Sequence, residues 1–384
     1  MNKKAEITLY DSTNIDSLPW PNTPDGKYAK KFLYPLIKQG VKHFIDNVDT
    51  ILYALVIDDL VLPVTVNDTQ YENSYVCSPY GHYVGYALDS IDGMKSRFLR
   101  TPFKAAVNAM AGVFRMGKLN QVAIVNNWLF STNLYPKISH EQVSAIRIFL
   151  KDYFPEHAIV FRSIHTYGNT DLYQLFSKNK FHMIASRQVF FMNATNDAIF
   201  QSRIFKSDLS LLKKSEYEIM RNDELSDETV PAITHLYRSV YLGRHSKLNP
   251  QLNQNFIRLT LENQILNLKV LKKNGRIDGV AGYFSRNDMM TSPFLGYDTD
   301  QPKESSLYRL TSTLLTMEAR DKKMLFHLSS GASFHKKMRK AESSLEYNAV
   351  YHQHLGLSRR LPWYILKGVM NSVGKFFMKS YDRL

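Results

Sequence analysis

The run His335-Lys336-Lys337-Met338-Arg339-Lys340 follows the small residues Ser329-Ser330-Gly331, so a tight turn opens a short helix that carries four Lys or Arg. The start of a helix studded with cations suits an anion. Lys336 and Arg339 are three apart and can share one face, as can Lys336 and Lys340. A solvated helix face would read the same way. His352-x-His354 would set two imidazoles on one side of a strand, but no nearby carboxylate or cysteine completes a ligand set, so no metal site is expected. Cys77, beside Ser78-Pro79-Tyr80 and close to His82, has the residue types of a thiol nucleophile; a thiol filling a strand pair is the simpler reading. No P-loop, Gly-x-Ser-x-Gly elbow, His-Glu-x-x-His or zinc-deaminase signature occurs, and Gly275, Gly279 and Gly282 are wrongly spaced for a dinucleotide fingerprint.

The chain that must position these groups has 384 residues, 44% of them apolar, with 49 Lys or Arg against 35 Asp or Glu and a net charge of +14. This composition excludes disorder, and the length exceeds what one core usually serves, so two domains are expected. The charge is uneven: residues 321–384 hold twelve Lys or Arg and four Asp or Glu, so this stretch supplies eight of the fourteen net charges. An anionic partner is expected there, whether a phosphate-bearing cosubstrate, RNA or a membrane surface. A single cysteine excludes an intrachain disulfide, and a polar run at residues 5–16 stands where a secretory leader would be apolar. A reducing, cytoplasmic setting follows as an expectation. No window of about 18 apolar residues exists to span a bilayer as one helix.

Hydrophobic periodicity gives a mixed α/β order. Residues 50–57 and 61–66 read as a hairpin split at Asp58-Asp59. Residues 74–87 are rich in Tyr and Val but broken by Pro79, Gly81 and Gly85, which makes a poor central strand and a plausible site lining. Helices at 102–116, 139–153 and 171–178 alternate with strands at 121–125, 157–163 and 186–192. Residues 193–215 turn polar and read as the boundary. The second half then runs β α α β β β α β α β. The expected division is 1–200, 201–358 and a basic amphipathic helix over 359–384. In that tail Trp363, Leu366, Val369, Met370, Val373, Phe376 and Phe377 recur at three and four, with Lys367, Lys375 and Lys379 between them.

That order, with Gly279-Val-Ala-Gly-Tyr-Phe284, Gly296-Tyr297-Asp298, Tyr308-Arg-Leu310, Phe326-His-Leu-Ser-Ser-Gly-Ala332, Phe334-His-Lys-Lys-Met-Arg339 and Glu346-Tyr-Asn-Ala-Val-Tyr351, resembles the GNAT acyltransferases. Within them it is most similar to the Fem-type aminoacyl and peptidoglycan-bridge transferases and related acetyltransferases. The resemblance implies a mixed-sheet α/β fold of two tandem GNAT-like domains, the first a degenerate copy built on a buried strand at 122–127.

What the resemblance further implies is a splay between the strands at 289–297 and 324–328 that admits an acyl donor. Tyr297 and Asp298 would end the first strand, and His327 and Ser329 the second. Asp298 or His327 would be the base and Tyr297 an acid toward the leaving group. Ser329, Lys336 and Arg339 would meet the donor's phosphates. A turn with Asp298 as a cap, and a satisfied core histidine at 327, are the bland alternatives. Coenzyme A-binding GNAT enzymes resemble one another in a glycine-bearing turn before the third helix, where this chain reads Gln301-Pro-Lys-Glu-Ser-Ser306. Acyl-CoA is therefore one expected cosubstrate and aminoacyl-tRNA the other, with no tightly bound cofactor and a small-molecule or peptide amine as acceptor. The competing expectation is an inactive GNAT-fold protein that holds RNA or an anionic membrane through its basic C-terminal segment.

Overall fold

A computed structural model describes residues 6–92, 97–167, 170–375 and 378. Contacts divide the chain into two units, residues 1–187 with 248–251 and 345–384, and residues 188–247 with 252–344.

In unit one, β1 (Ile7–Tyr10) leads to α1 (Pro24–Gln39), started by Pro24 and by Thr23, whose side chain accepts from Gly26 N at 3.0 Å. The expected hairpin forms as β2 (Ile51–Ile57) and β3 (Leu60–Asn67), with Asp58 left-handed at φ 52° in the turn. After α2 (Tyr86–Asp92) and α3 (Arg97–Met116) come β4 (Val122–Val125), α4 (His140–Tyr153), β5 (Ala158–His165), α5 (Thr170–Lys178) and β6 (His182–Asn193). A capping box fixes the start of α4: Gln142 N donates to Ser139 Oγ and Ser139 N to Gln142 Oε1. β4 and β5 pair in parallel between antiparallel neighbours, which makes the sheet mixed.

Unit two contains α6 (Asp197–Phe200), α7 (Arg203–Lys214), β7 (Glu218–Arg221), α8 (Val230–Val240), α9 (Gln254–Asn263), β8 (Asn267–Lys273), β9 (Arg276–Arg286), β10 (Met289–Tyr297), α10 (Leu307–Asp321), β11 (Leu325–His327) and α11 (Ser333–Met338). Its strands run β7-β8-β9-β10-β11, and the later residues of β6 pair antiparallel with β11. The polar stretch at 193–215, expected to hold the domain boundary, is largely helical: Phe205, Asp208 and Leu212 recur at three and four on α7 and are buried.

The division differs from the expected one at both ends. The boundary lies at 187/188, within the residue range of β6. The last strand, β12 (Glu342–Tyr351), and α12 (Leu357–Val369) were expected as the close of the second domain and a separate tail. From residue 345 on they belong to unit one. β12 pairs with β5 from Glu346↔His165 to Tyr351↔Ile159, and Trp363 and Leu366 bury among Phe114, Leu119 and Val122. Burying two such side chains is worth about 1.5–3 kcal/mol each, which ties the helix down. Phe376, Phe377 and Lys379 lie outside the described residues. Among the described residues no helix is long and apolar enough to cross a membrane.

Candidate functional site

β10 and β11 start together and then part. They pair in parallel at Met289↔Leu325, Met290↔Phe326 and Thr291↔His327, and Thr291 Oγ1 donates to His327 O at 3.0 Å. No further rung joins them. The register of β10 against β9 moves from Thr291↔Phe284 to Phe294↔Gly282, three residues against two, so Ser292-Pro293 forms a bulge. A bulge bends and twists its strand, and Pro293 has no N–H to offer either neighbour. β11 instead keeps to β6: Leu328 N donates to Phe190 O at 2.8 Å and Phe190 N to Ser329 O at 3.1 Å. Residues 292–297 of β10 are thus bonded on the β9 side only. Alternate N–H and C=O groups point into the gap, as on any sheet edge.

Tyr297 is half-buried near the far end of this free stretch. Its oxygen accepts from Arg244 Nη1 at 3.1 Å, and the guanidinium lies 5.3 Å from its ring. Its ring is 6.3 Å from that of Tyr308 on α10, which is 5.6 Å from His335 on α11. Asp298 is turned to its own loop: Oδ1 accepts from Asp300 N at 2.9 Å and Oδ2 from Gln301 Nε2 at 3.2 Å. His327 is buried, with Nδ1 accepting from Ser329 N at 3.0 Å and its ring 4.5 Å from Phe191. Six residues of β10, roughly 20 Å of strand, separate the rung at His327 from Tyr297. The three expected residues are therefore spread from the apex of the gap to its mouth.

Lys336 and Arg339 are held by the protein itself. Lys336 Nζ donates to Leu328 O at 2.7 Å, Ser329 O at 3.3 Å and Ser330 O at 2.8 Å, so it pins the turn that follows β11. Ser329, Gly331 and Ala332 in that turn all have positive φ, which aims several carbonyls one way and calls for a cation. Arg339 Nη2 meets Asp208 Oδ2 at 2.5 Å, and Arg309 Nε meets Asp208 Oδ1 at 2.8 Å. Arg244 and Tyr308 join Tyr297 without having been expected. Tyr308 heads the motif Tyr308-Arg-Leu310 at the start of α10, and Arg244 carries no sequence cue, since it lies in a π-helical turn, Tyr241–His245, that continues α8.

The loop expected to replace a phosphate turn forms a 3-10 turn, Lys303–Ser305, with Ser306 left-handed at φ 53° before α10. Beside it lies an open groove of about 610 Å³ lined by Lys214, Tyr217, Lys273, Arg276, Gln301 and Ser305. Two of its cations are already paired, Lys273 with Glu216 at 3.0 Å and Arg276 with Asp278 at 2.6 Å.

In unit one Cys77 is fully buried, its thiol pushed up to about 12 by desolvation, and Asn127 Nδ2 lies 3.7 Å from the sulfur. It is a packing thiol. His352 and His354 do not converge: the first meets His182 Nδ1 at 3.0 Å and the second His157 O at 3.0 Å. Burial first, then nearby positive charge, lowers both His82 and His352 to about 3 from an ordinary 6.5. The unfolded chain takes up these protons first, so the stability they carry is complete above about pH 6.5 and is lost as pH falls toward 3, at up to about 1.4 kcal/mol per pH unit for each group. The urea midpoint should fall across that window, and less steeply in the His82→Gln, His352→Gln double variant. Identical slopes in the two proteins would refute the assignment.

No family model and no curated protein matches the chain. Solved structures do. The crystal structure of FemX superposes with a TM-score of 0.52 at 9% identity, covering 94% of this chain and all of the other. A conserved protein of unknown function from Bacteroides thetaiotaomicron VPI-5482 does so with a TM-score of 0.50 at 10% identity, covering 90% and 100%. With its mixed sheets, the β α α β β β α β α β order of its second half and whole-length likeness to FemX, the chain has a GNAT-like, Fem-like fold.

Proposed function

We propose that unit two transfers an acyl or aminoacyl group from an activated thioester or ester donor to an amine by direct attack, as an N-acyltransferase. The parting of β10 from β11 after Thr291 carries this reading, because it opens a sheet edge of unpaired backbone groups beside a phenol. A carbonyl laid along that edge has backbone N–H donors for the oxygen that gains charge. The amine nitrogen bonds to the carbonyl carbon, the tetrahedral intermediate collapses, and the bond to the donor's sulfur or oxygen breaks. Tyr297 gives its proton to that leaving group, and the proton that the attacking nitrogen sheds as the amide forms returns through water to the Tyr297 phenolate. A Lys-like amine with a pKa of about 10.4 is neutral in only about one molecule in 2,500 at pH 7, so the gap must also admit it stripped of water and proton.

Asp298 and His327 then hold the two ends of the gap, the first through the turn before α10 and the second through the backbone of Ser329. Ser329 and Lys336 act on the donor by fixing that backbone, and Arg339 by tying the end of α11 to Asp208 on α7. Acyl-CoA and aminoacyl-tRNA remain the two donors, and the glycine-free turn at 301–306 favours the second. Incubating the purified protein with acetyl-CoA or with a charged tRNA pool, and reading retained or hydrolysed donor by mass spectrometry, tests the reading. One of the two should be held, and binding of neither counts against it.

The second reading is a non-catalytic protein that lies on an anionic surface. Its support is the outer edge of α12, where Leu357, Leu361 and Tyr364 are exposed beside Arg360. It predicts salt-sensitive retention on anionic vesicles that is unchanged by Tyr297→Phe.

A further inference from the structure

Unit one buries two guanidinium groups against one carboxylate. Arg187 Nε meets Glu346 Oε1 at 2.9 Å and Arg187 Nη2 meets Glu346 Oε2 at 3.2 Å, a forked pair with Glu346 almost wholly buried. The same Nη2 donates to Thr132 Oγ1 at 3.1 Å. Arg162 is 7% exposed and has no carboxylate within ion-pair distance among the described residues. Its Nη1 donates to Val76 O at 3.0 Å and Asn127 Oδ1 at 3.1 Å, and its guanidinium lies 5.7 Å from the ring of Tyr75. No hydrogen bond engages its Nε and Nη2 among the described residues.

The groups around it add no negative charge. Tyr75 is 5.7 Å from His82 and 5.2 Å from Tyr86, ring to ring. His82 Nε2 lies 2.9 Å from Ser186 Oγ, while its Nδ1 is buried without a hydrogen-bond partner. Tyr86 Oη reaches Asn249 Oδ1 at 3.4 Å, and residues 248–251 are anchored there by Tyr75 N to Leu248 O at 3.0 Å and Gln251 N to Asn47 Oδ1 at 2.9 Å. Desolvation first, and then repulsion by Arg187, hold the Arg162 guanidinium below its ordinary pKa, although the Glu346 carboxylate that Arg187 already occupies also attracts it. A buried charge is ordinarily paired. This cluster is one negative charge short.

We propose that unit one carries an oxyanion-binding site in which the unbonded Nε and Nη2 of Arg162 receive a carboxylate or phosphate, with Tyr75, His82 and Tyr86 as its walls. The site is separate from the gap in unit two and does not depend on the reaction assigned there.

The test uses the full-length protein and thermal unfolding in sodium phosphate or sodium acetate, with sodium chloride at matched ionic strength as reference. Phosphate, acetate or both should raise the melting temperature above the chloride value, and the stronger of the two identifies the ligand as a phosphoryl or a carboxylate group. Arg162→Met should fold, because Val76 O keeps Asn127 Nδ2 as a donor and Asn127 Oδ1 keeps Leu129 N. It should bind the effective anion about 30-fold more weakly, the range expected for a lost charged hydrogen bond, and Arg162→Lys should fall between the two. Equal shifts in wild type and Arg162→Met, or no shift beyond chloride in the wild type, would overturn the proposal. So would failure of both variants to fold, which would make Arg162 a structural cation.

Discussion

Replacing Gly296 with alanine is expected to cost unit two about 3–5 kcal/mol, enough to unfold much of it at ambient temperature. A β-carbon at 296 would stand 2.5 Å from Leu236 C, 2.6 Å from Tyr237 N and 2.7 Å from Leu236 O. All three are backbone atoms of α8, so no side chain can rotate away. Either β10 or α8 must retreat, and Tyr237 is stacked on Phe294 with ring centroids 4.6 Å apart and planes 7° from parallel. The retreat would break that stack and disturb the free edge of β10 as well. Urea denaturation is the measurement, with Gly243→Ala as the control, since nothing lies within 4 Å of a β-carbon there. Similar losses in the two variants would show that α8 does not clamp β10 as closely as described.

Tyr297→Phe is expected to lower turnover by about 10²–10⁴-fold, the usual contribution of a positioned proton donor, while leaving the melting temperature almost unchanged. Only the hydroxyl is removed. The ring keeps its contacts with Tyr308 and with the Arg244 guanidinium, and Arg244 is exposed, so losing its acceptor costs little. Asp298→Asn should cost less than about tenfold, since an amide oxygen can still accept from Asp300 N. The readout is single-turnover transfer from whichever donor the protein retains. Full activity in Tyr297→Phe, or loss confined to Asp298→Asn, would move the acid away from Tyr297.

The strands of unit two were legible because each is a short β-rich run between strong breakers, and β10 forms at its expected bounds, Met289–Tyr297. The bulge at Ser292-Pro293 was not, because a proline in a strand suits an edge as well as a bulge, and Pro63 sits in β3 with its register to β2 unbroken. The division of the chain was not. Periodicity identifies an apolar face without saying which core it joins, so β12 and α12 read as belonging to the domain they follow in sequence. Polarity also misled at 193–215, where one buried stripe of Phe205, Asp208 and Leu212 suffices for a helix whose other faces are wet.

The same asymmetry governs the sites. Tyr297 is placed by the end of its strand, which a pattern can locate. The partners of Lys336 and Arg339 are carbonyls and the distant Asp208, which no spacing reveals. The Arg162 cluster draws on residues from 75 to 346, and its one early sign was the broken, tyrosine-rich stretch at 74–87, which supplies Tyr75, His82 and Tyr86.

The most direct test of the central claim is a structure of the protein with a donor analogue whose carbonyl cannot be transferred. The account predicts that carbonyl in the gap between residues 292–297 of β10 and the turn after β11, with the leaving-group atom about 3 Å from the Tyr297 oxygen. A donor seated elsewhere, or strands β10 and β11 hydrogen-bonded beyond Thr291 with the gap closed, would contradict it.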